Sequence, residues 1–288
     1  MASQAFSGLL EAIDRGAFPK TRKWLWRGLY NILSRRWRDD DWRFMNYGFL
    51  PPAPGIPLEQ EDEADRPFIG LYAQAVAGLP MKGARVLEIG SGRGGGARYI
   101  ARYCEPDSVI GLDYSPATVA LARRLNRDTP RLAFEVGDAE KLPFADGAFD
   151  VVINIESSHC YGDVAAFARE AARVLAPGGW FSFADMRGRA TLPLLRQQLA
   201  VPGLVLRGET DLSQGVITAL DAAEQRKRAR IGKIRFMRGF ISEFAGSQGS
   251  ILYRELSEGG VVYLAQRYRK EDDFRELPPP TISDAPKA

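Results

Sequence analysis

The sequence predicts an α/β fold, a doubly wound and largely parallel sheet with helices on both faces. Three observations carry that expectation. Short apolar, β-prone runs alternate with helix-length stretches between residues 85 and 186, the pattern of repeated βαβ units. One unit opens with Arg85-Val-Leu-Glu-Ile-Gly-Ser-Gly-Arg-Gly-Gly-Gly96, which reads as strand, glycine turn and helix start. In an open sheet such a turn makes a nucleotide-binding edge. Finally, Asp113, Asp138, Asn154 and Glu156 end successive apolar runs, and ligands of these sheets bind outside the carboxyl ends of the strands.

Composition narrows the class. A chain of 288 residues with 45% apolar content has room for one large core, or one core with a cap. The formal net charge of +3 is mild and leaves no electrostatic footprint for nucleic acid. Only Cys104 and Cys160 are present, outside any CxxC pair, so neither a disulfide framework nor a structural zinc site is expected, and a reducing, cytoplasmic setting fits. Nothing suggests a metal cluster. The first residues lack a basic region followed by an apolar one, so no signal peptide is expected. No apolar run is long enough for a bilayer.

The elements follow in order. Residues 3–15 read as an amphipathic helix through Phe6, Leu9, Leu10 and Ile13, and residues 24–37 as an arginine-rich second one. Four of the five tryptophans (Trp24, Trp26, Trp37 and Trp42) fall in this leader. Aromatics among arginines suit either a membrane-surface helix or a lid whose rings pack on the main domain while arginines snorkel to water. The reading adopted is a lid and linker over 1–66. A proline-rich loop at 51–57 precedes a helix at 59–79. The core, 67–186, then has strands at 85–89, 108–112, 131–136, 149–155 and 180–184. Its helices begin at 97 and cover 116–126 and 164–175. From 187 to 270 the pattern changes to a helix at 192–199 and a strand at 204–207. Helices follow at 211–231, 234–244 and 252–256, then a strand at 261–268. The helices between the two late strands form an insertion expected to cap the binding edge. The basic run at 225–230 suits a solvated helix face, an anionic substrate or a membrane. Residues 271–288 are proline-rich and expected to be disordered.

The strand ends carry chemistry. Asp113 lies about twenty residues past the glycine turn, where a carboxylate accepts both hydroxyls of a ribose. That placement suits a nicotinamide cofactor or S-adenosyl-L-methionine (SAM). Glu88, inside the strand before the glycines, has an ammonium to bind only in SAM. Asp138 and the Ala139 amide suit an adenine edge. The turn offers few amides for a pyrophosphate, and SAM has no phosphate.

The motifs Glu88-Ile-Gly-Ser-Gly-Arg-Gly94, Gly111-Leu-Asp-Tyr-Ser-Pro116, Gly137-Asp-Ala-Glu-Lys-Leu-Pro-Phe144, Phe149-Asp-Val-Val-Ile-Asn154 and Leu175-Ala-Pro-Gly-Gly-Trp180 together resemble the successive motifs of class I SAM-dependent methyltransferases. They span residues 84–186 in the family's order. The resemblance implies a Rossmann-like sheet of seven strands whose last is antiparallel, a role suited to 261–268. It implies SAM as cofactor and S-adenosyl-L-homocysteine as product, held by Tyr47, Glu88, Gly90, Ser91, Gly92, Asp113, Tyr114, Asp138, Ala139 and Asn154. A narrower likeness is carried by Asn46-Tyr47-Gly48, Asn154-Ile-Glu-Ser-Ser-His-Cys-Tyr161 and Glu243-Phe-Ala-Gly246. These look like the bacterial phthiotriol/phenolphthiotriol dimycocerosate methyltransferases, which O-methylate a hydroxyl on a long lipid.

Methyl transfer from a sulfonium needs alignment and exclusion of water, and an alcohol acceptor also needs its proton removed. Glu156 and His159, the sole histidine, are the candidate bases just past the fourth strand, with Glu156 placed to hold the histidine tautomer. The expected activity is O-methylation of a hydrophobic natural product or lipid. C- or N-methylation, and a SAM-binding fold that performs a pericyclic reaction or only binds, are the alternatives. The partner is a small hydrophobic molecule, with peripheral membrane contact at most.

Overall fold

Apolar side chains that alternate along short strands need cover on both faces, and helices between the strands supply it. The computed structural model describes residues 28, 31, 42–51, 55–232 and 246–271. Strand β1 (Arg85–Ile89) lies at the centre, parallel to β2 (Ser108–Asp113) and to β4 (Phe149–Ile155). Strand β3 (Leu132–Val136) extends the sheet beyond β2, and β5 (Leu175–Gly188) beyond β4, both in parallel. Strand β7 (Val261–Lys270) then runs antiparallel between β5 and β6 (Leu204–Asp211). The order is β3-β2-β1-β4-β5-β7-β6, which has the seven strands and the antiparallel last strand expected.

Side-chain alternation divides the core into two layers. Val86, Val109, Val151 and Ile153 face Leu71 and Tyr72 of α1 (Arg66–Val76) and Ile100 of α2 (Gly95–Tyr103). Leu87, Leu112, Val152 and Phe181 face Phe167 and Ala168 of α4 (Val164–Val174) and Leu195 of α5 (Leu192–Leu199). Helix α3 (Pro116–Leu125) starts where its sequence says it should. Pro116 sits in the first turn, and the Ser115 hydroxyl accepts the Thr118 amide at 3.1 Å. Asp163 caps α4 in the same way through the Ala166 amide at 2.8 Å. Helices α6 (Ser213–Gly232) and α7 (Ile251–Glu258) lie between β6 and β7, as the insertion expected there. The expected helices at 3–15 and 234–244, nearly all of that at 24–37, and the tail from 272 lie outside the described residues.

Boundaries differ where pairing overrides local composition. Strand β5 begins at Leu175 rather than at 180, because Leu175 pairs with Phe149 before the register shifts and Val151 takes Trp180. Strand β6 runs on to Asp211 through polar residues, since β7 satisfies their backbone across an irregularity between Leu206 and Gly208. The basic run is largely absorbed by carboxylates. Arg226 pairs with Asp65 at 2.7 Å, while Lys227 and Arg228 pair with Glu224 at 3.2 and 2.6 Å. Helix α2 begins at Gly95, two residues earlier than expected, because Gly94 adopts φ 83° and turns the chain into it.

A side chain at Gly94 would be doubly unfavourable. Its backbone is left-handed, and a Cβ would sit 2.3 Å from the Phe134 ring. Gly94→Ala should therefore destabilise the fold by roughly 2–4 kcal/mol. Urea denaturation checks this, and an unchanged midpoint would show that β3 and α2 pack less tightly than described.

Candidate active site

The carboxyl ends of β1, β2 and β4 open onto a cleft of ≈ 950 Å³, its solvent-filled mouth included. Gly90, Ser91, Gly92, Asp113, Tyr114, Asp138, Ala139 and Glu156 line it, as the sequence predicts for a shared strand-end site. Residues 43–46, part of the leader read as a lid, also line it, as do Tyr72, Arg93, Cys160 and Tyr161, which were not among the expected site residues. Tyr47, Glu88, Asn154 and His159 stand behind it. Asn154 is fully buried and donates to the Ile89 carbonyl at 2.9 Å and the Tyr161 hydroxyl at 2.8 Å. Its amide ties β4 to β1.

The glycine turn spends its amides on the protein. Gly90 and Ser91 donate to the Leu112 carbonyl at 2.8 and 3.0 Å, and Gly94 donates to Ser91. The Gly92 amide donates to Asp113 Oδ2 at 3.0 Å. A pyrophosphate needs such amides aimed at itself, so this turn does not suit a dinucleotide. It suits a ligand that brings donors. Asp113 lines the cleft and takes amides from Gly92 and Ser115, leaving lone pairs for two hydroxyls. Glu88 accepts the Tyr72 hydroxyl at 2.6 Å on Oε1, while Oε2 has no hydrogen-bond partner. A diol, an adenine edge and an ammonium match that set. Close approach at Gly90 is also required, since a Cβ there would sit 2.3 Å from Ser157 Oγ.

Burial dominates the electrostatics of these acids. It pushes Glu88 up to about 7 and Asp113 up to about 6, against the hydrogen bonds each accepts. Glu156 rises to about 8 by burial, against the Tyr47 amide and the Tyr263 hydroxyl, which bond it at 2.9 Å each.

The second candidate base has a different partner from the one expected. His159 Nδ1 lies 3.0 Å from Asp185 Oδ1, so Asp185 rather than Glu156 holds the ring. Glu156 faces the strap at residues 42–50 instead, through the Tyr47 amide. Burial opposes a charged imidazole here, but the Cys160 thiol and the Asp185 carboxylate outweigh it and hold His159 well above the ordinary histidine range. Asp185 ends the apolar run 180–184 just as Asp113 ends its own strand, and that signal was available in the sequence.

The strap crosses the cleft on defined anchors. The Arg93 guanidinium stacks 4.2 Å from the Trp42 ring and donates to the Trp42 carbonyl at 3.0 Å. Phe44 stacks on Phe68, and the Leu50 amide donates to Gly215 of α6 at 3.0 Å. Farther up the leader, Asn31 accepts the Ser115 hydroxyl at 2.6 Å.

The sheet order, with a glycine turn that keeps its amides for the protein, is that of the class I methyltransferase fold. A methyltransferase-domain family profile matches residues 87–183. The phthiotriol/phenolphthiotriol dimycocerosates methyltransferase of Mycobacterium tuberculosis is 35% identical over 270 residues, covering 93% of this chain and 100% of that protein. The fatty-acid O-methyltransferase of Mycolicibacterium smegmatis is 35% identical over 263 residues, covering 89% and 95%. Among solved structures, the cyclase SpnF aligns with TM-score 0.66 at 21% identity, over 85% of this chain and 95% of that one. The geranyl diphosphate C-methyltransferase of Streptomyces coelicolor aligns at 0.61 and 18%, over 84% and 98%. Both structural likenesses show the fold. The chain belongs to the SAM-dependent methyltransferase family that includes these mycobacterial enzymes. SAM is its methyl donor.

Asp113→Ala should weaken SAM binding by roughly 1–3 kcal/mol through loss of a two-point contact. Calorimetry on the folded variant measures it, and wild-type affinity would remove Asp113 from the site. The raised acids also set a pH dependence. A folded value above the unfolded one gives stability that is complete below the unfolded value and lost as pH rises through the folded one. Glu88, Asp113 and Glu156, at about 7, about 6 and about 8, all act in this direction. The ligand-free melting temperature should fall from about pH 5 to about pH 9. A melting temperature that rises across that range contradicts the burial of these acids.

Proposed function

We infer that the protein O-methylates a hydrophobic, lipid-like acceptor at the outer end of the cleft, with His159 as the proton acceptor. The observation that carries this reading is the fully buried Asp185 carboxylate 3.0 Å from His159 Nδ1. It lies behind a loop whose neighbours Glu156, Ser157 and Cys160 line the cleft. Bound SAM supplies an activated methyl group. The chain aligns the acceptor, excludes water and takes the hydroxyl proton. With Nδ1 held by Asp185, that proton goes to Nε2. Glu156 anchors the strap over the reacting groups. The named acceptors of the mycobacterial relatives, phthiotriol and phenolphthiotriol dimycocerosates and fatty acids, support a lipid-like substrate. The mild charge of +3 supports a small molecule over nucleic acid, and two free cysteines support a cytoplasmic setting. Among the described residues no helix is long and apolar enough to cross a membrane. Residues 1–66 act as lid and linker, 67–186 bind the cofactor and 187–270 cap the acceptor. The Asn31 contact with cleft-lining Ser115 supports the lid.

One observation favours a second reading. His159 is held well above the ordinary histidine range, a shift that favours the protonated ring. A fatty-acid carboxylate is already ionised at neutral pH and needs no base. The imidazolium then orients the anion rather than accepting a proton. The two readings differ in sign on a pH–rate profile. An alcohol acceptor requires kcat to rise through a value above 6.5, whereas a carboxylate acceptor requires it to fall through the same value. Assays with a long-chain alcohol and a long-chain fatty acid, each across pH 6–10, decide between them.

For the alcohol reading, His159→Asn should lower kcat by roughly 10²–10⁴ and abolish that limb while SAM still binds. Near-normal turnover with an unchanged profile would reduce His159 to packing and move the role to Glu156.

A further inference from the structure

Asp185 is fully buried and collects donors from every side. The Ser158 hydroxyl reaches Oδ2 at 2.6 Å and the His159 amide reaches it at 3.1 Å. The His159 ring and the Met186 amide meet Oδ1 at 3.0 and 2.9 Å. Arg187 Nη1 lies 3.2 Å from Oδ2. Arg187 is itself only 5% exposed. It donates through Nη2 to Ser158 Oγ at 2.7 Å and through Nη1 to the Met186 carbonyl at 2.6 Å. Three residues of β5 (Asp185, Met186 and Arg187) and two of the 3-10 turn that follows β4 (Ser158–Cys160) thus form one closed network behind the imidazole.

We propose that Arg187 is a positioning residue for the methyl-transfer site: it compensates the charge of Asp185 and, through Ser158, holds the turn that presents His159. The proposal rests on His159 being the group that meets the acceptor. A buried carboxylate with no other counter-charge strongly favours a protonated imidazole beside it, because an ion pair replaces an isolated anion. A guanidinium is permanently charged, so Asp185 already has a counter-ion before the ring takes a proton. Around His159 are Asp185 from β5, Cys160 beside it and Glu156 at the end of β4; Arg187 meets Asp185, and the Tyr47 amide and the Tyr263 hydroxyl meet Glu156. Among these, Arg187 is the cation. It limits how far Asp185 raises the ring and so keeps neutral imidazole within reach of physiological pH. A residue that merely filled space would not do this.

The chain has one histidine, so the imidazole NMR titration of the whole protein reports His159 directly. Arg187→Met should raise the His159 pKa by about one unit, which lowers the neutral fraction below that pKa about tenfold and kcat/KM for an alcohol acceptor with it. Arg187→Lys should return the titration towards wild type. Ser158→Ala, which removes one hydroxyl and leaves the ion pair, should raise the pKa in the same direction by less. It also decides the matter if Arg187→Met does not fold. A folded Arg187→Met or Ser158→Ala protein whose His159 titrates as in wild type overturns the proposal. If His159→Asn turns over normally while the Arg187→Met titration moves, the catalytic reading fails and the charge compensation stands.

Discussion

Four carboxylates meet at one edge of the sheet, Glu88 and Asp185 buried, Asp113 and Glu156 half-buried at the cleft wall. Desolvating a carboxylate is costly unless donors replace its water, and the site can be understood as four different answers to that constraint. Asp113 takes backbone amides from the glycine turn and from Ser115. Glu156 takes an amide from the strap and a hydroxyl from β7. Asp185 takes a guanidinium, a serine hydroxyl, an imidazole and two amides. Glu88 takes one tyrosine hydroxyl and keeps one oxygen without a protein partner.

Those answers assign the ends of the cleft. Acids with few counter-charges are pushed up by burial, as Glu88 and Asp113 are, and such acids suit a cation or a diol. Asp185 behaves in the opposite sense. Burial raises it, but His159 and Arg187 outweigh burial and hold it below the ordinary carboxylate range. The same residue type, at the end of β2 and within β5, is therefore pushed up in one place and held down in the other. The charge of the neighbours makes the difference.

Glu156 links these chemical ends to the rest of the chain. Its bond to the Tyr47 amide fixes the strap, which Arg93 and Trp42 hold at the glycine turn and Leu50 joins to α6. The strap thus touches the glycine turn, Glu156 and α6 at once. Its packing on Phe68 and Tyr72 carries it across α1, behind which Glu88 sits.

Much of this was legible in the sequence. Short apolar runs between helix-length stretches placed β1 to β5, because a strand in a doubly covered sheet must be apolar on both faces, and alternation placed β7. The glycine spacing and Asp113, Asp138 and Ala139 marked one edge, because strand ends in parallel sheets share a side. Other features were decided by tertiary structure alone. Tyr47 meets Glu156 across 109 residues, and His159 meets Asp185 across 26. Neither separation has a helical or strand period. The basic run at 225–230 became an ion-paired helix face once Asp65 and Glu224 were packed beside it. Asn154 and Glu88 were drawn behind the cleft wall by Tyr161 and Tyr72, which come from elements on opposite faces of the sheet. Periodicity is a local property of the chain and survives reading it alone. Which donor answers a buried charge depends on how layers pack, and that is settled only when distant segments meet.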